Sequence, residues 1–341
     1  MKKICPGYIL PSAAFTVTKK HIKYYDFLDK SPEVGDVVYG RISRIGQHSE
    51  LENKYGRIHK ISDGSKAAFV FGNRYAPDYY EGFVPDMMKS EVDLLARSGV
   101  IGEVTFKNAS IKDPTRVRIL GYVCDDEAVV LNTQQHPLIK PSLEVKKANR
   151  SKLILCIGTS MNSGKSTSAV ACCWALSTMG YDVRASKITG TASLKDILNM
   201  QDAGAKIVND FTHFGLPSTY MLGEAELLHI FNHTDLKYGN NPKNYWVVEI
   251  ADGVLQRETA MLLASEDVRS RIHRLIFSAH DAFGAVGGID VLKKRLGLTP
   301  DAVSGVCSGS PLAIRELSDF TNIPVFNNLE RDLNQLSEIL L

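Results

Sequence analysis

Two patterns of apolar positions divide the chain. From residue 152 onward, near-continuous apolar runs of strand length alternate with longer amphipathic stretches. The runs predict strands at Leu153–Ile157, Asp182–Lys187, Tyr245–Ile250, Arg274–Ala279, Ala302–Cys307 and Pro324–Phe326. The stretches between predict helices at Lys165–Met179, Gly223–Phe231, Arg257–Ala264, Val286–Arg295, Pro311–Phe320 and Leu333–Leu340. Apolar strands separated by helices imply an α/β fold with a parallel sheet covered on both faces. Ligands in such sheets gather at the carboxyl ends of the strands. Before residue 150 the runs are shorter and alternate: Asp36–Ile42, Ala67–Phe71, Gly102–Phe106, Arg116–Val123 and Ala128–Leu131, punctuated by glycines. That predicts a smaller β-rich, barrel-like domain, with Met87–Ser98 as its one helix. The segment His136–Lys152 holds two prolines and a basic cluster without a period, and reads as a linker between a domain over 1–145 and another over 146–341.

Composition adds limits. With 44% apolar and 23% charged residues among 341, the chain falls outside the disordered and low-complexity classes. Runs such as Leu153–Ile157 and Val247–Ala251 fall far short of the ~20 apolar residues that span a bilayer. Met1–Pro11 has no charged-then-apolar leader. Six scattered cysteines (5, 124, 156, 172, 173, 307) form no C-x-x-C pair and need no disulfide framework, so a reduced cytoplasmic location away from membranes is expected. The net charge of +2 conceals a split: residues 1–150 carry 23 Lys and Arg against 18 Asp and Glu, whereas 151–341 carry 17 against 20.

The chemistry concentrates behind the first strand of the second domain. Gly158, Thr159, Ser160, Met161, Asn162, Ser163, Gly164, Lys165, Ser166 and Thr167 form a glycine-bounded loop between a strand and a helix, the context of a nucleotide-binding phosphate loop. Successive backbone N–H groups in such a loop face an anion, and the following helix directs its positive end at the same phosphates. Lys165 then reaches the β- and γ-phosphates, and the Ser166 hydroxyl is a ligand for Mg²⁺. Five residues separate Gly158 from Gly164, one more than the usual four.

The G-T-x-x-x-x-G-K-S form resembles the phosphate loop of dethiobiotin synthetase and its relatives, in the wider P-loop group that includes MinD-like ATPases and signal-recognition GTPases. Met179–Gly190 is similar to that family's second strand, with Lys187 at the place of its lysine, and Val247–Gly253 is similar to its acidic strand end. The resemblance covers about residues 152–341. It implies an ATP- and Mg²⁺-dependent ligase or kinase acting on an acidic small molecule, with Lys187 near the transferring phosphate or the substrate's acidic group. It also implies an acid from the region of Asp210 in the metal shell. Ile188, Ile250 and Asp252 depart from the family pattern, and so does Ser308, which stands where the family has a base-reading Asn. Apart from the resemblance, Glu249 ends an apolar strand beside the loop strand, where an acid binds Mg²⁺ directly or through water. Lys165, Lys187 and Glu249 are therefore the candidate catalytic residues, and Ser166, Asp210 and Glu249 the candidate metal ligands. His213 is a candidate base, although a lone His is more often a satisfied loop residue; Asp252, Ser218 with Thr219, His280 with Asp281, Ser308 and Asn327 with Asn328 have both functional and bland readings, and capping or turn-making serves as well for each.

Pro32–Ile42 resembles the opening strand of S1-type OB barrels. Tyr39, Tyr55, Phe69, Phe71 and Tyr75, with Arg41, Arg44, Lys54, Arg57, Lys60 and Arg74, then offer stacking and charge for a single-stranded nucleic acid. Ordinary barrel filling and a protein-binding surface are the rival readings. Two functions stay open: an ATP-dependent phosphoryl-transfer enzyme, or a nucleotide-dependent homodimeric switch whose first domain meets nucleic acid or protein. Ser160 in place of an early loop lysine counts against a MinD-like switch.

Overall fold

A computed structural model describes residues 1–140 and 145–341; part of the expected linker, 141–144, lies outside the described residues. The chain divides into two compact units. The first comprises Met1–Lys140 with two later stretches, Thr191–Lys195 and Phe211–Met221; the second takes in 145–190, Asp196–Asp210 and Leu222–Leu341.

The first unit is built from β1 (Lys2–Lys3), β2 (Tyr24–Asp26), β3 (Val37–Arg44), β4 (Glu50–Glu52), β5 (Ile58–Lys60), β6 (Lys66–Phe71), β7 (Arg74–Tyr75), β8 (Tyr80–Phe83), β9 (Glu91–Leu94), β10 (Val100–Lys107) and β11 (Thr115–Cys124). Five of them close on themselves: β3 pairs with β6, β6 with β10, β10 with β9, β9 with β11, and β11 again with β3. Only the β6–β10 pair is parallel. Both faces of the ring are buried, which the period of two along its strands explains. Val38, Ile42, Phe69, Phe71, Leu94 and Val117 pack in one core, while Val37, Tyr39, Ala68 and Val70 pack in another with Leu10, Ala13 and Val17.

That two-sided burial corrects two expectations. Tyr39, Phe69 and Phe71 are core residues and present no ring for a base to stack on, whereas Tyr55 is exposed. Met87–Ser98 does not form a helix. Its centre is β9, because Val92 and Leu94 alternate into the core and the strand finds partners on both sides in β10 and β11. Ala128–Leu131 contributes only an isolated bridge, from Val130 to Cys124.

The second unit holds β12 (Lys152–Gly158), β13 (Asp182–Lys187), β14 (Ile207–Asp210), β15 (Asn244–Glu249), β16 (Ile272–Ala279) and β17 (Ala302–Gly305). They form one parallel sheet in the order β14-β13-β15-β12-β16-β17. The helices are α1 (Lys165–Thr178), α2 (Leu194–Asp202), α3 (Glu224–Tyr238), α4 (Arg257–Ala264), α5 (Glu266–Arg269), α6 (Ala282–Val291, prolonged by a π turn over Leu292–Leu296), α7 (Pro311–Ser318) and α8 (Leu333–Leu340). Strand β14 and helix α5, four residues each, are too short to register in the sequence pattern, and α2, whose Leu194, Ile197 and Leu198 do keep a helical spacing, is an element that the sequence reading omits. The 324–326 run makes a single bridge, Val325 to Val303. Helix α1 is apolar nearly all round because Ala169, Ala171, Cys172, Cys173 and Leu176 pack against the sheet while α8 brings Leu336 and Leu340 into the same core. Among the described residues, no helix is long and apolar enough to cross a membrane.

A buried ionic knot fixes the entry to β12. Asp235 of α3 is fully buried and takes Arg271 in two places, Nε at 3.0 Å from Oδ2 and Nη2 at 2.9 Å from Oδ1, together with Arg150. The Arg271 Nη2 also donates to the Ser151 carbonyl at 3.1 Å, just ahead of β12. Removing one partner of such a group strands the others in a poor solvent. Asp235→Ala is therefore expected to lower the unfolding free energy by about 3 kcal/mol, measured by urea denaturation, and a loss under ~0.5 kcal/mol would contradict this account.

Candidate functional site

The order of the sheet puts β12 near the middle: the chain runs from β12 to β13 on one side, and later from β15 across β12 to β16 on the other. A crevice at such a point takes ligands at the strand ends. Register does the rest. Cys156, Glu249, Lys187 and Asp210 are successive partners across β12, β15, β13 and β14. In-register residues of a parallel sheet share a face, so three charged side chains stand in one row beside the loop after β12.

The loop is braced from three strand ends. Thr159 N–H donates to the Ser278 carbonyl at 2.9 Å, Val254 N–H to the Gly158 carbonyl at 2.9 Å, and Val306 N–H to the Ser163 carbonyl at 3.1 Å. Gly253 and Gly305 make this close approach possible: a Cβ on Gly253 would lie 2.1 Å from the Thr159 carbonyl oxygen, and one on Gly305 2.3 Å from that of Ser163. Within the loop Asn162 (φ 60°) and Gly164 (φ 100°) are left-handed, and mixing such residues with right-handed ones turns successive N–H groups inward. Asn328 supports the start of α1, its Nδ2 donating to Ser168 Oγ at 3.0 Å.

Lys165 folds over the loop and donates to the Ser160 carbonyl at 2.7 Å. Burial lowers its pKa below the ordinary lysine value, against the pull of Glu249 and Asp252. The Ser166 hydroxyl donates to Glu249 Oε1 at 3.0 Å. Glu249 is 1% exposed. Its Oε2 has no hydrogen-bond partner among the described residues, nor have the buried Thr159 Oγ1 and Ser163 Oγ. Lys187 Nζ stands 3.6 Å from Glu249 Oε1 and pairs with Asp196 of α2. Burial by itself would lower the Lys187 pKa, but Asp196 and Glu249 outweigh it and hold the ammonium well above the usual lysine range. The row thus keeps one permanent cation close to a loop whose own lysine is partly desolvated.

The structure brings together Lys165, Ser166, Lys187 and Glu249. It sets Asp210, buried at the end of β14, two strands from Glu249 with Lys187 between, a backbone span of roughly 10 Å at ordinary strand spacing. His213, Ser218 and Thr219 fall in the stretch 211–221 of the first unit, where the His213 ring lies 4.8 Å from that of Phe15, tilted at 48°. Neither Ser218 nor Thr219 caps α3; Gly223 does, its N–H donating to Glu226 at 2.8 Å. Asp281 is the N-cap of α6, accepting from Gly284 N–H at 2.7 Å. Ser308 is buried and donates to the Gly305 carbonyl at 2.9 Å. Asp196 escaped the sequence reading. The only signal it gives is an acid in the first turn of an amphipathic helix soon after Lys187.

The chain matches no family model and no curated protein. Among solved structures it is similar to the signal recognition particle receptor FtsY of Elizabethkingia anophelis in complex with GDP (11% identity, 60% of this chain and 69% of that one, TM-score 0.35). It is also similar to a ParA family ATPase of Chlorobium tepidum TLS (13%, 57% and 92%, TM-score 0.35) and to FtsY of Mycoplasma mycoides (15%, 57% and 69%, TM-score 0.33). At this level of likeness the functional reading rests on the site's own geometry.

The glycine bracing gives a test. Gly253→Ala drives a methyl into the loop carbonyl and is expected to cost about 1–3 kcal/mol of stability. Gly287→Ala in α6, where an added Cβ meets nothing within 4 Å, is expected to be neutral or to stabilise by roughly 0.5 kcal/mol. Equal denaturation midpoints for the two variants would refute the packing argument.

Proposed function

We propose that the second unit is a Mg²⁺-dependent, ATP-binding phosphoryl-transfer enzyme, acting on an acidic small molecule in the manner of the dethiobiotin synthetase group. The observation that carries the reading is the link from Ser166 to Glu249 beside an unpartnered, buried Glu249 Oε2. A hydroxyl and a carboxylate at the head of α1 form a hard-oxygen donor pair. Mg²⁺ is an ion that keeps waters and phosphate oxygens as ligands and needs only one or two from the protein. In this reading Ser166 and Glu249 hold the ion. When bound, it neutralises charge on the phosphates. Asp210 is kept as a supporting acid of the same strand-end row.

The loop amides of Gly158–Thr167 cradle the phosphates and Lys165 leaves the Ser160 carbonyl to contact them. Lys187, a cation held in place by Asp196 and Glu249, meets the charge that develops on the transferring group or the acceptor's carboxylate. Preorganised charge of this kind acts in the transition state more than in binding. The closed five-strand ring of the first unit is read as an OB-like barrel.

A second reading, the nucleotide-dependent dimeric switch, draws on apolar side chains left in solvent in and around α6 and α7. Phe283 is 90% exposed, and Leu312 and Phe320 are also exposed. The full chain is the material for the test. Lys165→Ala is expected to abolish ATP binding by calorimetry, and unchanged affinity would sink the phosphate-loop reading. Lys187→Ala is expected to keep ATP affinity within about threefold and to lose turnover about 100-fold or more. Turnover stimulated by carboxylated metabolites supports the enzyme. ATP-dependent dimerisation without such stimulation supports the switch.

A further inference from the structure

Glu52 closes β4 in the first unit and is 1% exposed. Its Oε1 accepts the backbone N–H of Leu194 at 2.8 Å, and its Oε2 has no hydrogen-bond partner among the described residues. Glu52 is itself fixed, its N–H donating to the Arg97 carbonyl at 2.8 Å. A buried carboxyl with one oxygen unsatisfied is costly. The compensation lies at its other end: Leu194 is the first residue of α2, where amides lack intrahelical acceptors and an acidic oxygen is favoured.

The stretch Thr191–Lys195 belongs to the first unit by more than this bond. Ala192 lies in that unit's core and its N–H donates to the Pro217 carbonyl at 3.0 Å. The helix that starts there then runs on. Two residues after Leu194 comes Asp196, in the first turn of α2, and Asp196 pairs with Lys187. Lys187 in turn faces Glu249 at 3.6 Å.

We infer that Glu52 is a positioning residue for Lys187: it pins the start of α2, α2 carries Asp196, and Asp196 holds the lysine in the row of charges beside the phosphate loop. Every link is either a bond within one unit or the covalent continuity of α2. Glu52 therefore acts on Lys187 through the first turn of α2. The inference rests on the reading of Lys187 proposed above. Displacement of a catalytic charge by about 1 Å costs on the order of 100-fold in rate.

The test uses the full chain with Glu52→Met, which keeps the volume and removes the acceptor, and Glu52→Gln, which keeps an acceptor oxygen. Three readouts are taken: hydrogen exchange over residues 194–202, labelling of Lys187 by an acetylating ester followed by mass spectrometry, and ATP turnover. In Glu52→Met, exchange at the start of α2 and labelling of Lys187 are both expected to rise about tenfold. Turnover is expected to fall about tenfold or more while ATP affinity stays within about threefold. Glu52→Gln is expected to restore all three. Combining Glu52→Met with Asp196→Asn is expected to be no slower than Asp196→Asn alone, because both act through one lysine. A merely structural role for Glu52 would give additive losses. Unchanged exchange and labelling in Glu52→Met, or an additive double variant, overturns the inference. The exchange and labelling arms need no nucleotide, so they decide it even if the wild-type chain proves unable to bind ATP, the outcome that defeats the functional reading instead. Should Glu52→Met fail to fold, Leu194→Pro deletes the same N–H at a helix start, where proline is tolerated, and must give the same labelling change.

Discussion

The parallel register of β12, β15, β13 and β14 is the constraint on which the chemistry of the second unit depends. Parallel pairing with matched ends forces residues of equal depth onto one face and one edge. Four strands drawn from distant parts of the sequence thereby deliver Cys156, Glu249, Lys187 and Asp210 to a single line. A slip of one residue in any of them would turn its charged side chain to the opposite face of the sheet. The apolar strand interiors that enforce this register, such as Tyr245–Val248 against Leu153–Leu155, are thus as necessary to the site as the charges themselves.

Holding these charges is not free. Lys187 and Glu249 are nearly shut off from water, and Glu249 leaves one oxygen unsatisfied. A core built for stability alone would place apolar residues there. The local arrangement instead stores electrostatic free energy at the head of α1, and the apolar packing of α1 with α8 and the sheet supplies the compensation. Asp235 with its two arginines lies at the other end of β12 and differs in kind: every oxygen there has a guanidinium partner, and nothing waits for a ligand.

The sequence pattern made the second unit legible wherever periodicity was strong. Asp182–Lys187, Arg257–Ala264 and Leu333–Leu340 coincide with observed elements to the residue. The loop over 158–167 stands out in the sequence because its glycines, lysine and serine are contiguous and lie between a strand and a helix. Strand β14 is absent from the sequence reading because four residues, two of them polar, carry too short a pattern, whereas α2 has a helical spacing of Leu194, Ile197 and Leu198 that the reading omits. β9 replaces the expected helix because Val92 and Leu95 keep a helical spacing while Val92 and Leu94 alternate, and only its two flanking strands decide between the two. The pairings of Lys187 with Asp196 and of Glu52 with Leu194 join residues with no sequence motif in common, so they emerge only from the folded chain.

The division of the chain bears on its synthesis. The first unit needs residues 191–195 and 211–221 as well as 1–140. While the chain is being made, that unit therefore lacks part of its own core: Ala192 comes about 50 residues after Lys140, and the 211–221 stretch is complete only after about 80, roughly 4–16 s at ordinary translation rates. During that interval the β-rich portion waits with an incomplete core as β12, α1 and β13 are produced. The first unit is consequently expected to consolidate only once β14 and its following loop have appeared, and the second later still, after β15, β16 and β17 have been made.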